Sequence, residues 1–287
     1  MSTTSPVAAA RLTPDTLLTR MRTAGQPAIS PDGRELAYVV SRVDGGSLTT
    51  ISQVWLMDLD SGETTQLTRG GTSNTAPVWS PDGSSIAFVS NRPGDGRWAL
   101  CILDRDGGEA VEVETFASKP TSVAWRPDGS ALAVVVPLGK ADPAAPRVIS
   151  RIDYKQDNRG LINNERNQVV IVWPERGETR TVTDGAFDHL APAWSPDGRL
   201  IAVKQTRMDG FVSQLLLIDD DGDEQARIGT EEGSVGTWAW SPDGSAILLD
   251  GSEVLSPTTD YYRYHVASGE LTKITDDAGF STVAGAP

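Results

Sequence analysis

The sequence predicts an all-β chain, a β-propeller of four-stranded antiparallel blades, and three observations carry that prediction. One five-residue turn recurs along the chain, each copy is followed by the same succession of apolar runs and turns, and the third run of every unit is apolar at successive positions. The turn reads WSPDG at Trp79–Gly83, Trp194–Gly198 and Trp240–Gly244, WRPDG at Trp125–Gly129 and ISPDG at Ile29–Gly33. Pro presets φ at the second position of a tight turn, Asp can bond its own backbone, and Gly adopts a left-handed conformation at low steric cost. Asp32 and Gly33, Asp82 and Gly83, Asp128 and Gly129, Asp197 and Gly198, and Asp243 and Gly244 are therefore structural turn residues. Each pair closes a hairpin between apolar strands such as APVW and SIAFV.

Taken in chain order, residues 1–10 are expected to be a disordered N-terminus. Segment 11–24 predicts a short helix in LTPDTLLTRM, with Thr13 as N-cap, Pro14 at the first helical position, Asp15 in the first turn, and Leu17, Leu18 and Met21 on one face. Residues 25–275 carry about five blades. The turn aspartates stand 50, 46, 69 and 46 residues apart. After each comes an apolar run, a second turn ending in Gly (DLDSGE, DRDGGE, PERGE, DDDGDE, VASGE) and a closing strand (TTQLT, AVEVET, TRTVT, QARIG, LTKIT). The longest spacing marks an insertion in the third blade, about residues 139–165. The third strands VWLMDL, WALCIL, VVIVW, LLLID and YYRYHV predict sheets covered on both faces, as tandem blades would be. A plain β-sandwich is the alternative, but it would not repeat one four-strand pattern five times. Residues 276–287 are expected to begin a further blade or to form a tail. Continuing the spacing places the next turn Asp just beyond Pro287, so the chain is expected to be cut within a propeller.

Composition limits the partners. With 39 acidic and 25 basic residues the formal charge is −14, which argues against nucleic acid and against an anionic membrane surface. The N-terminus lacks a secretory signal, and no apolar stretch is long enough to span a bilayer, so a cytoplasmic address is expected. The single cysteine, Cys101 in WALCIL, excludes an internal disulfide framework and reads as a core filler.

Catalytic signals are missing. No G-x-S-x-G nucleophile elbow occurs, and the nearest stretch, GFSTV at Gly279–Val283, lacks the final glycine. The two histidines, His189 and His265, read as surface or core fillers, so no triad and no catalytic residue is assigned. DDDGDE at Asp219–Glu224 lacks the spacing of a calcium loop, and neither metal nor cofactor is expected. Glu231 and Glu232 lie in an inter-blade linker without an aromatic context.

The SPDG units resemble the TolB-like propeller repeat. LTPDTLLTRM leading into GQPAISPDGRELAYVVS is similar to the start of the prolyl oligopeptidase family of serine peptidases, acylaminoacyl-peptidase branch. RVISRIDYKQDNRGLIN, Arg147 to Asn163, resembles the Arg-rich, Asp-x-x-Gly segment that branch carries in its third blade. The resemblance implies a seven-bladed propeller, here incomplete, followed by a C-terminal α/β-hydrolase domain that is absent from this chain and that holds the catalytic residues. The expectation is then a non-catalytic portion, inactive alone, that gates and positions short peptide substrates. Arg151, Asp153, Tyr154, Lys155, Asp157 and Arg159 of the insertion are the candidates for contact with substrate or hydrolase, because mixed charge on an excursion from a rigid scaffold suits a binding loop. The alternatives are a stand-alone propeller acting as a protein–protein interaction module, with homo-oligomerisation left open, and a TolB-like binding protein.

Overall fold

The computed structural model describes residues 13–139, 155–156, 160–161, 165–207, 210–256 and 258–275. A short helix, α1 (Pro14–Arg20), leads directly into the first strand, so that β1 (Arg22–Ile29) begins inside the 11–24 segment. Leu18 and Met21 are more than half exposed, and the expected apolar face of the helix is not covered at these positions.

Five four-stranded antiparallel sheets follow, each a simple meander. The first comprises β1, β2 (Glu35–Val43), β3 (Thr50–Asp58) and β4 (Thr64–Gln66). The second comprises β5 (Asn74–Trp79), β6 (Ser85–Gly94), β7 (Arg97–Asp104) and β8 (Val111–Phe116). In the third, β9 (Ser122–Trp125) and β10 (Leu132–Leu138) are separated from their partners by a small ladder of β11 (Lys155–Gln156) and β12 (Gly160–Leu161). That blade then resumes with β13 (Arg166–Trp173) and β14 (Glu178–Thr181). The fourth comprises β15 (Asp188–Trp194), β16 (Ile201–Arg207), β17 (Val212–Ile218) and β18 (Glu224–Ile228). The fifth comprises β19 (Ser234–Trp240), β20 (Ala246–Ser252), β21 (Asp260–His265) and β22 (Glu270–Lys273).

The recurrent turns are alike in detail. Gly33, Gly83, Gly129, Gly198 and Gly244 have φ between 71° and 75°, which only glycine adopts without strain. In blade one the Gly33 N–H donates to Ser30 O at 2.9 Å, and the Ser30 hydroxyl donates to Asp32 Oδ1 at 2.6 Å. The same pair recurs at Ser80–Asp82, Ser195–Asp197 and Ser241–Asp243. The first strands of blades one, two and four contain a bulge at an X-Pro step, with Gln26, Ala76 and Ala191 at positive φ.

Packing runs between blades. Ile86 and Phe88 of β6 face the first blade, where they meet Ala37 and Val54. Ala87 and Val89 of the same strand face the third blade and meet Leu132 and Val134. Ile171 and Val203 lie in the seam between blades three and four, and Leu217 and Ile247 in that between four and five. A strand buried on both sides in this way needs apolar residues at every position, which is why its sequence shows a run and not an alternation.

The tryptophan of the turn motif joins each blade to the one before it. The indole N–H groups of Trp79, Trp125, Trp194 and Trp240 donate to the carbonyls of Ala28, Val78, Ala124 and Ala193. In every case the acceptor is the residue just before the matching position of the preceding blade. Blade one has Ile29 at that position, 63% exposed.

The expectation of cover on both faces is corrected for the end blades. In β21 Tyr262 and Tyr264 are buried while Tyr261 and Arg263 are exposed, and β2 alternates between buried and half-buried positions. The apolar YYRYHV run sits on a sheet covered on one side only, because no described element packs against its outer face.

Candidate functional site: the seam between the third and fourth blades

One seam departs from the repeat. WRPDG carries Arg126 where the other turns carry Ser, and this side chain reaches across to Asp220 Oδ2 at 3.4 Å while its guanidinium lies over the Trp194 ring at 5.3 Å. Arg180 of β14 pairs with Asp221 of the next blade and lies over Trp173. Arg126 thus keeps a contact with Asp128 of its own turn at 3.5 Å and adds an inter-blade one.

Beside these contacts opens a cleft of about 750 Å³, lined by residues 181–187, His189, Gln205, Asp221–Glu224 and Arg227, with Leu216 and Ile218 behind them. His189 is 3% exposed. Its Nδ1 lies 2.9 Å from Gln168 Oε1 and its Nε2 lies 3.0 Å from Gln205 Nε2. An amide oxygen can only accept and an amide nitrogen only donate, so Nδ1 carries the proton and Nε2 accepts. Burial pushes the imidazole down to about 4, and the ring is neutral near pH 7.

The histidine is the centre of a longer chain of bonds. Gln168 Oε1 also accepts from the Thr183 hydroxyl at 2.8 Å, and that hydroxyl accepts from the Val169 N–H. Gln205 Oε1 accepts from Arg227 Nη1 at 2.9 Å, and Arg227 also bonds Gln214 Oε1 at 3.0 Å and Glu224 Oε2 at 2.6 Å. The seam between blades one and two repeats half of this arrangement with Asn74 in place of His189, where Gln53 Oε1 accepts from the Thr68 hydroxyl and from Asn74 Nδ2.

The root of the third-blade insertion is fixed at the same place. Asp188, next to His189, takes Arg166 Nη1 at 3.0 Å on one oxygen and the Asn167 N–H at 2.8 Å on the other. Of the six candidate contact residues, Lys155 is described, exposed on β11. Arg151, Asp153, Tyr154, Asp157 and Arg159 lie outside the described residues. Arg166 and Asn167, the first described residues of the strand that follows the insertion, are thus tied to Asp188, the neighbour of His189.

Asp184, Asp221, Asp223 and Glu224 outnumber Arg227 in the lining, and half-exposed Phe187 stands at the rim under the Arg207 guanidinium. Such a surface accepts N–H donors and cationic groups. It holds no acid–base pair for hydrolysis, since both nitrogens of His189 are occupied and the ring is neutral. His265 lies in β21 of the fifth blade. Cys101 is fully buried, and burial pushes its thiol up to about 11, so it offers no thiolate. The Asp219 carboxylate is used within its own turn, accepting from the N–H groups of Asp221 and Asp223. Among the described residues no group of three or more His, Cys, Asp or Glu could hold a metal ion. No described helix is long and apolar enough to cross a membrane.

His189 is buried, within the expectation of a surface or core filler, whereas its partners Gln168, Gln205 and Arg227 carry no signal in the sequence. One signal was available: DHLAPAW in blade four matches SNTAPVW in blade two, which places His189 on the Asn74 position of a conserved geometry within this chain.

A family model described as the TolB beta propeller domain matches residues 16–163, just over half of the chain. The chain belongs to the TolB β-propeller family. This TolB-type propeller is similar, at 29% identity over 193 residues, to an uncharacterized peptidase, YuxL, of Bacillus subtilis strain 168, covering 63% of this chain and 29% of that protein. The uncomplexed acylaminoacyl peptidase of Pyrococcus horikoshii shares its fold, with a TM-score of 0.71 at 21% identity, over 92% of this chain and 41% of that one. An oligogalacturonate lyase in complex with manganese gives a TM-score of 0.63 at 19% identity, over 88% of this chain and 66% of that one. At these identities the solved structures establish the fold. The propeller spans less than a third of the length of the curated relatives it matches.

Proposed function

We propose that this chain is the propeller portion of an acylaminoacyl-peptidase-like serine peptidase, and that it gates and positions short peptides for an α/β-hydrolase domain. The observation that carries the reading is the alignment of 92% of this chain with 41% of a peptidase chain, together with the similarity to a second peptidase. The seam between blades three and four supports it physically. Its carboxylates and amides suit the N–H groups of a peptide, and Arg166 and Asn167, which follow the insertion in sequence, are held by Asp188 next to His189. The rigid hydrogen-bonded wall around His189 would orient a ligand without reacting with it. A cytoplasmic address belongs to the same proposal, with cell fractionation as its check.

The test uses the full-length gene product. Hydrolysis of an N-acetyl tripeptide anilide and of unfolded casein are measured side by side, with cleavage of the first and sparing of the second expected. Arg126→Ala with Arg180→Ala, which loosens the seam, is expected to admit casein. A product that cleaves neither substrate, or one in which deleting residues 139–165 leaves both kcat and KM for the tripeptide unchanged, removes the reading. In that case a TolB-like binding module, favoured by the family match itself, takes its place.

A further inference from the structure

The turn tryptophans differ in what covers them. Trp79 and Trp194 are 8% and 7% exposed, whereas Trp125 is half-buried, although its blade too stands between two described blades. At Trp194 the cover is the Arg126 guanidinium, which comes from the turn of the preceding blade, lies over the ring and reaches Asp220 in the second turn of the tryptophan's own blade. One seam earlier the position of Arg126 is held by Ser80, whose hydroxyl bonds Asp82 within its own turn at 2.6 Å. No described cation lies over Trp125.

The turns of blades two and three also stand apart. A side chain placed at Gly83 or Gly244 would touch Pro31 or Pro196 of the preceding turn, and one at Gly198 would touch Arg126, but at Gly129 nothing lies within 4 Å. The gap is a cleft of about 530 Å³, lined by Asp82, Trp125, Gly129 and Glu175. They answer in order to Asp128, Trp194, Gly198 and Asp220, the four residues around Arg126 at the next seam. Glu175 and Asp220 each stand two residues before the glycine of a second turn. Glu175 is exposed and pairs with no described cation. Pro81, Pro127 and Ile102 add an apolar wall beside the indole.

The chemistry of the missing occupant follows from the sister seam. An indole face attracts a guanidinium through its ring quadrupole, and the planar fork keeps N–H groups free for a carboxylate at the edge. The volume lies within the range of ligand sites and leaves room beside the guanidinium for its aliphatic stem. We propose that this cleft binds the guanidinium of an arginine side chain presented by a polypeptide partner, stacked on Trp125 and paired with Glu175, in the place that Arg126 fills one seam further on. The net charge of −14 favours the approach of such a ligand. The site lies between blades two and three, apart from the cleft at His189, and holds whether or not the chain serves a peptidase.

Calorimetric titration of the protein with N-acetyl-Gly-Arg-Gly-amide, and with its citrulline and lysine counterparts, tests it. The arginine peptide is expected to bind saturably, about tenfold or more tightly than the neutral citrulline peptide, and more tightly than the lysine peptide, whose ammonium lacks the planar fork. Ser80→Arg, which supplies the guanidinium from within, should abolish binding at an undiminished melting temperature. Glu175→Gln should weaken binding about fivefold, while Glu63→Gln in the second turn of blade one leaves it intact. Absence of saturable binding, equal binding of the three peptides, unchanged affinity in Ser80→Arg or in Glu175→Gln, or an affinity for methylguanidinium equal to that for the peptide would each overturn the proposal.

Discussion

Blades two to four and blades one and five are written in the same sequence language but sit in different surroundings. In β10 every residue from Leu132 to Val136 is buried, and β17 is buried throughout. In β20 of the last blade Leu248 is 46% exposed between the buried Ile247 and Leu249. The tryptophans follow the same division, for each indole bonds a preceding blade and Ile29 stands exposed where no described blade precedes. Apolar runs thus state what a strand is able to bury, and the neighbouring blade decides what it does bury. Trp in the turn motif belongs to the joint between blades more than to the turn.

The widest consequence of this difference is energetic. Leu100→Ala or Ile171→Ala, both at 0% exposure, should each lower stability by about 2–5 kcal/mol, because the residual cavity adds to the lost transfer energy. Leu248→Ala should cost less than about 1 kcal/mol. Urea denaturation of the three variants measures this, and equal losses would break the contrast between inner and outer blades.

The pH response sharpens the contrast between His189 and Asn74. The imidazole of His189 is held at about 4 by burial, below its ordinary 6.5, so the native state refuses a proton that the unfolded chain takes. Its contribution is whole above about 6.5 and is lost as the pH falls toward 4, on the order of 3 kcal/mol across that window. His189→Asn, which copies the blade-two residue bonded to Gln53, should flatten the dependence between pH 6.5 and 4. An unaltered slope would place the titrating group elsewhere. Below that window the turns act. The Ser241 hydroxyl and the Ser245 N–H and hydroxyl hold the exposed Asp243 carboxyl at about 2, so its contribution is present above 3.8 and disappears as the pH falls through 2.

The smallest expected effect concerns the indoles. Trp194→Phe leaves the Ala124 carbonyl without its indole donor and should cost about 1 kcal/mol beyond the change in packing. Ile29→Phe should leave the melting temperature nearly unchanged. A comparable loss at both positions would show that the aromatic serves its own turn.

Much of the fold was legible because its signals are local. Turn residues act within five positions, and the alternation of runs and turns marks strands without knowledge of their neighbours. The candidate site was less legible. His189 reads as a filler in isolation, and its chemistry arises from Gln168 and Gln205, which lie 21 and 16 residues away. Arg126 occupies a serine position of the turn motif, and its partner Asp220 is 94 residues distant.

The sequence by itself determined the blades, their order, their turns and the place of the insertion, because these depend on backbone preference and on apolar periodicity over a few residues. Only the tertiary structure decided which faces are covered, which carbonyl each indole meets, that Arg126 meets Asp220 and that His189 is neutral. Those outcomes depend on burial and on charges brought together from distant positions, and neither quantity exists until the blades have packed.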